Sequence, residues 1–346
     1  SSILIVLLVM SAVMYWVDPL FLYRYRDTGT YWIQPEWTSV GLIKNYDYDT
    51  VLIGSSVTQN FNAEEFGQSV GGSVLKVNSG GLSVTELEEY IRLIERTGRA
   101  KTCYVCIDIP QFAKSREEDI NRIKKELTDD KFWNDYSYLL GYEAWTRFFP
   151  VNLGLSFLKT VGLEYPERIR MKTDVARSGE WKSDYSYGKD VVITNYQSGA
   201  YGVSWPASDG LSERMRERGK ECLEAFTLDG DISYVFFFPP YSILYWREAQ
   251  QQGILDAYLQ FKYEFTKVIL ESNRAMVFDF QSEDYAAELE FYRDMTHYGP
   301  EINRIMEEQF STMETRVTDL EGLEASIERM KLLIQALEEE NQSWLK

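Results

Sequence analysis

Asp49-Thr50-Val51-Leu52-Ile53-Gly54-Ser55-Ser56 is the stretch that decides the fold. A short apolar run closed by glycine and two serines reads as a strand buried on both faces that ends in a sharp turn. Glycine lets the backbone turn tightly and leaves the next hydroxyl exposed at the strand's end. The same pattern recurs downstream. Residues 73–77 run into Asn78-Ser79-Gly80-Gly81, residues 103–109 into Pro110-Gln111, and residues 232–238 into Pro239-Pro240-Tyr241-Ser242, while residues 275–280 form the last strand. Helical patterns separate them. Residues 84–97 carry Leu87, Tyr90, Ile91 and Ile94 on one face, with Ser83 as N-cap, Glu86 as its capping-box partner and Gly98 as the stop. Residues 211–226 and 253–272 read as further helices. This alternation predicts an α/β fold, a three-layer α/β/α arrangement around a mainly parallel sheet. Ligands in such sheets sit beyond the carboxyl ends of the strands, where Ser55-Ser56, Asn78–Gly81, Pro110-Gln111 and Pro239-Pro240 all fall.

Three segments lie outside that rhythm. Residues 3–17 are almost wholly apolar, followed by Asp18-Pro19 and a second short run, with Tyr15, Trp16 and Tyr23 placed as an interfacial belt. The expectation is an uncleaved membrane anchor over residues 1–24, which the chain enters partway. A buried core helix is the bland alternative, and Arg24 and Arg26 argue weakly against a domain outside the cytoplasm. A charged, aromatic-rich insertion spans about 113–210 within a domain of residues 25–312. From Glu301 the chain reads as continuously helical to its end, with Met313, Val317, Leu320, Leu323, Ile327, Met330, Ile334 and Leu337 in a near-heptad stripe. Residues 313–346 are therefore either a helix packed on its own domain or a coiled coil that self-associates or docks a helical partner.

Composition removes several function classes. The chain has 346 residues, is 45% hydrophobic and carries a formal charge of -18. That is a globular chain whose surface disfavours nucleic acid and anionic headgroups as main partners. Its three cysteines, Cys103, Cys106 and Cys222, make no disulfide framework. Cys103 and Cys106 lie three apart on a strand and point to opposite faces, as buried small hydrophobes do. With one histidine, zinc catalysis is not expected. Gly71-Gly72 and Gly80-Gly81 lack nucleotide-loop spacing, so no metal and no cofactor is expected.

That one histidine, His297, follows Asp294 by three residues. A serine hydroxyl needs a base at neutral pH, and imidazole suits the task. Asp294 can accept from Nδ1 and leave Nε2 facing a serine, either Ser56 or Ser55. The bland alternative is a structural, hydrogen-bonded histidine.

Gly-x-Ser near the start and Asp-x-x-His near the end resemble the SGNH (GDSL-like) hydrolase superfamily. Gly54-Ser55-Ser56 stands for its Gly-Asp-Ser block and makes Ser56 the nucleophile. Asp294 and His297 stand for its last block. Asn78-Ser79-Gly80-Gly81-Leu82-Ser83 resembles the second block, with Ser83 in place of the donor glycine. The third block lacks its asparagine and reads Ile107-Asp108-Ile109-Pro110-Gln111-Phe112. Its Pro-Gln-aromatic turn is similar to the branch containing D-alanyl-lipoteichoic acid transfer proteins and alginate and cellulose O-acetylation proteins. The resemblance covers about 48–310, in short blocks. It implies a serine-dependent O-acyltransferase outside the cytoplasm, single-pass in the cell membrane, working beside a membrane-bound O-acyltransferase. The acceptor would be a polysaccharide or teichoic-type polymer. Ser56 would take the acyl group, and backbone N–H groups of Ser56 or Val57 and of Ser83, with the Gln111 amide, would form the oxyanion hole. Trp181, Trp205, Tyr241 and Trp246 read as sugar-stacking residues. An esterase with the same triad and a non-catalytic tethered scaffold are the competing expectations.

Overall fold

The computed structural model describes residues 2–26, 35–163, 185–199, 205–339 and 344. Five strands run parallel: β1 (Thr50–Gly54), β2 (Val74–Asn78), β3 (Thr102–Cys106), β4 (Ser233–Phe238) and β5 (Ala275–Asp279). A short sixth, β6 (Arg316–Val317), pairs antiparallel with β5. The order is β2-β1-β3-β4-β5-β6. β1 therefore lies between β2 and β3, and the chain reverses its direction of travel across the sheet there. The crevice beyond such a reversal is where open α/β sheets bind ligands.

Helices cover both faces. α1 (Ser2–Val17) and α2 (Pro35–Asn45) lead into the domain, and α3 (Ala63–Val70) lies on one face of the sheet. The sheet's aromatic side chains decide how the rest pack. Tyr104 meets Phe66 of α3 at 4.9 Å between ring centroids, and Phe278 meets Phe310 at the same distance. Phe236, one residue out of phase with Phe237, points the other way and meets Phe265 at 5.8 Å. That second face is covered by α4 (Val84–Thr97), α5 (Leu211–Leu223) and α7 (Leu255–Leu270), with α6 (Ile243–Gln251) alongside. α4 has the capping box and left-handed Gly98 stop that the sequence implies. Each fully buried aromatic or branched side chain contributes about 1.5–3 kcal/mol, so the alternation along each strand holds both layers.

The chain's two ends differ from expectation. Residues 301 onward do not form one helix. α8 (Pro300–Thr312) ends at Met313, whose φ of 61° is left-handed; β6 then adds to the sheet, and α9 (Leu320–Glu339) begins after Asp319, whose carboxylate accepts from the Gly322 N–H at 2.8 Å. An N-cap there restarts the helix, and Val317 serves the sheet instead of a helical stripe. The remaining stripe, Leu323, Met330, Ile334 and Leu337, is buried against α6 and α7. Lys262 and Asp279 form a buried ion pair at 2.5 Å, and Ser326 of α9 donates to the same carboxylate. The apolar seam expected to drive a coiled coil is thus spent within the chain.

At the other end, α1 is 16 residues long. At 1.5 Å per residue it measures about 24 Å, short of a bilayer's ~30 Å core. Among the described residues no helix is long and apolar enough to cross a membrane. Ile3 to Val9 are mostly exposed, whereas Met14 is buried. Asp18 folds back at the end of α1: its carboxylate accepts the N–H groups of Leu22, Tyr23 and Arg24 and the hydroxyl of Tyr138. The described residues between 113 and 210 form short helices and loops, including Phe149–Thr160 and Lys189–Ser198.

Candidate active site

Gly54 ends β1 and Ser56 starts a single 3-10 turn, Ser56–Thr58. A Cβ on Gly54 would lie 2.5 Å from the Thr58 side chain and 2.6 Å from Cβ of Cys106, so only glycine lets the turn close against β3. The turn is held from below by Lys76, whose buried ammonium donates to the carbonyls of Gln59 at 2.8 Å and Phe61 at 2.6 Å. Burial pulls the Lys76 amine down to about 7.

The partner segment comes from the far end of the domain. Tyr292 and Tyr298 bridge antiparallel, and the Arg293 N–H donates to the His297 carbonyl at 3.0 Å. Within this loop Asp294 forms a local turn on its own carboxylate. Oδ1 accepts the N–H groups of Thr296 and His297, both at 2.9 Å, and Oδ2 lies 2.8 Å from His297 Nδ1. Burial pushes the Asp294 carboxyl up, but the His297 ring and the two backbone N–H groups outweigh it and hold the carboxyl below its usual range. It is a fixed anion facing Nδ1, which selects the tautomer with a proton there.

Nε2 of His297 is then the acceptor, and Ser56 Oγ lies 2.8 Å from it across 241 positions of sequence. Ser55 Oγ is buried and has no hydrogen bond of ordinary geometry, so of the two candidate serines the imidazole reaches Ser56. Neighbouring loops hold the histidine segment in place. Ser242 donates its N–H and its hydroxyl to the Met295 carbonyl, each at 3.0 Å. Asn195 of the insertion donates to the Arg293 carbonyl at 2.8 Å, and Asn60 of the nucleophile turn to the Tyr298 carbonyl at 3.3 Å. The Arg293 guanidinium sits 3.7 Å from the centroid of the Tyr185 ring. The imidazole side chain stays 23% exposed, so a substrate can approach it.

The other strand ends are less settled. The N–H groups of Ser56 and Val57 make no hydrogen bond among the described residues. Ser83 sits at the second strand end, but its N–H donates to Glu86 Oε2 at 3.2 Å and its hydroxyl to the Ile120 carbonyl at 2.5 Å. The first belongs to the helix cap, so the N–H donor expected at Ser83 is already engaged. Gln111 is half-buried, and its Oε1 accepts from Lys114 at 2.9 Å. Asn78, beside Gly54 in register, is buried with neither side-chain atom hydrogen-bonded, and the Ser79 hydroxyl is likewise without a partner.

Of the four aromatics read as sugar-stacking residues, Trp181 lies outside the described residues. Trp246 and Tyr241 are buried and expose no ring face, so sugar stacking has no surface to act through at either. Trp246 lies within α6, and Tyr241 two residues before its start, each packed into the core. Trp205 is half-buried, its ring 5.0 Å from that of Tyr245. Two residues that the sequence reading left without a role emerge instead: Asn78, and Asp108 after β3, which accepts the Tyr241 hydroxyl. A polar residue closing an otherwise apolar strand was the available signal for both.

No protein-family model matches this chain, and no curated protein does.

Proposed function

We propose that this protein is a serine-dependent O-acyltransferase of the SGNH type, which takes an acyl group onto Ser56 and passes it to a hydroxyl of a polysaccharide or teichoic-type polymer. The observation that carries the reading is the hydrogen-bonded chain Ser56 Oγ···Nε2 His297 Nδ1···Oδ2 Asp294, at 2.8 Å for each contact, at the carboxyl edge of a parallel sheet. Acyl transfer by double displacement needs such a chain. His297 accepts the Ser56 proton as Oγ attacks the acyl carbonyl, returns it to the leaving group, and then deprotonates the acceptor hydroxyl. Asp294 stabilises the imidazolium at each stage. The exposed edge of the imidazole supports entry of an acceptor larger than water.

The sheet order, with the nucleophile at the reversal beside β1, supports the SGNH assignment, as does Gly-x-Ser paired with Asp-x-x-His. We place the domain outside the cytoplasm at the cell membrane, beside a membrane-bound O-acyltransferase that supplies the acyl group. The exposed apolar surface of α1 supports attachment there, although the described helix alone is too short to span.

Incubating the purified chain with an activated acyl ester and glycan oligomers tests the reading. Acyl groups recovered on sugar hydroxyls, and lost in Ser56→Ala, are the expected result. Free acid as the sole product would make the protein an esterase using the same triad. Full in vivo polymer acylation by Ser56→Ala and His297→Ala variants would leave the tethered scaffold in place of any enzyme.

A further inference from the structure

Asp108 stands at the strand ends and has no part in the triad. β1 and β3 pair in register, Ile53 beside Val105, so the segments carrying Ser56 and Asp108 leave adjacent strands at the same edge of the sheet. The Tyr241 hydroxyl donates to Asp108 Oδ1. The basic groups near the carboxyl are His297 and Lys114. The others are neutral hydroxyls and a thiol: Ser55, Tyr241, Tyr245, Tyr258, Tyr298 and Cys106. Burial pushes the Asp108 carboxyl up, and the hydrogen bonds from the Tyr241 and Ser55 hydroxyls recover only part of that.

Attack by Ser56 on an acyl carbonyl moves the C=O electron pair onto oxygen. An ionised carboxylate at this edge would repel that charge, whereas a protonated one can donate to it. The expected donors are also depleted, because the Ser83 N–H serves its cap. We propose that Asp108 acts as a neutral carboxylic acid in the oxyanion hole: Tyr241 donates to Oδ1, and Oδ2–H donates to the oxygen of the acyl carbonyl. This rests on the acyl-transfer reading. In the step, the Ser56 Oγ–C bond forms and the Oγ proton passes to His297 Nε2. The Asp108 proton stays on Oδ2 throughout. Collapse re-forms the C=O bond, breaks the bond to the leaving group, and returns the histidine proton to it. Tyr241 is a positioning residue, holding the carboxyl so that its proton faces the substrate.

The test measures p-nitrophenyl acetate turnover against pH for the full chain, with labelling of Ser56 by a fluorophosphonate as a separate readout of the triad. The wild type is expected to lose kcat/KM on the alkaline side as Asp108 ionises. Asp108→Ala should lose about 10²–10³-fold. Asp108→Asn keeps a donor that cannot ionise, so it should recover most of that loss and show no alkaline fall. Tyr241→Phe removes a hydrogen bond that pulls the Asp108 carboxyl down, so its alkaline fall should move to higher pH. With Ser56 still labelled, an Asp108→Asn enzyme as impaired as Asp108→Ala, or one with the wild-type alkaline fall, overturns the role of Asp108 alone. Absence of Ser56 labelling in the wild type overturns the acyl-transfer reading and this inference with it.

Discussion

The two halves of the candidate site are built differently. On the histidine side the polar groups around the triad are committed, the buried Tyr298 hydroxyl being the exception in that loop: Asp294 accepts four hydrogen bonds from Thr296 and His297, and Ser242, Asn195 and Asn60 tie the loop to its neighbours. At the end of β2, buried polar atoms stand without partners: both side-chain atoms of Asn78 and the hydroxyl of Ser79. A buried polar group left unpaired costs about 1–3 kcal/mol. Such groups persist where a ligand or a transition state supplies the partner. The comparison assigns the base to the settled half and the charge that develops during reaction to the unsettled half.

The largest effects should come from the settled half. Ser56→Ala and His297→Ala are each expected to lower kcat by about 10⁵–10⁶-fold with the thermal midpoint nearly unchanged, read by turnover and calorimetry. Retention of more than a hundredth of the wild-type rate by either would remove the triad. Asp294→Asn should cost about 10⁴-fold, because an amide in place of the carboxylate permits the wrong imidazole tautomer. The same variant should show a shifted His297 ring resonance by NMR; an unchanged one breaks the assignment of Asp294 as the orienting group.

Smaller effects sharpen the other half. Asn78→Ala is expected to lower kcat about 10²-fold with KM little changed, while stability falls by less than about 1 kcal/mol since no hydrogen bond is lost. A large loss of stability with full activity would show that Asn78 is structural, and the comparison between halves would fail. Ser83→Ala should do the reverse. It removes a helix cap, so about 1 kcal/mol of stability should be lost in denaturant titration, and kcat should stay within about twofold. Any larger loss of rate would return Ser83 to the site.

Much of the fold was legible from local pattern. The strand at 50–54, the cap at Ser83, the stop at Gly98 and the buried strand holding Cys103 and Cys106 follow from short-range sterics and apolar run length, and the structure contains each of them. The C-terminal region was misread because its stripe of apolar residues satisfies helical spacing through Met313 and Val317. Spacing cannot tell that Val317 pairs with Val277 across the sheet edge. Trp246 has a related explanation: polar neighbours in sequence suggest exposure, yet a helix sends adjacent residues to different faces, while Tyr241 is buried by its hydrogen bond to Asp108 and its packing on Tyr245.

What the chain determined by itself are the pieces whose geometry closes within a few residues: Gly54 permitting the turn that presents Ser56, and Asp294 three residues before His297 so that one carboxylate binds both a backbone and a ring N–H. Only the tertiary structure decided which serine meets the imidazole, that the Ser83 N–H is already taken, and that Asp108 lies beside Tyr241 at the same edge as the nucleophile. Those facts depend on contacts between residues tens to hundreds of positions apart. Such contacts form when apolar faces pack into one sheet, and no local spacing records where that packing sets each polar atom down.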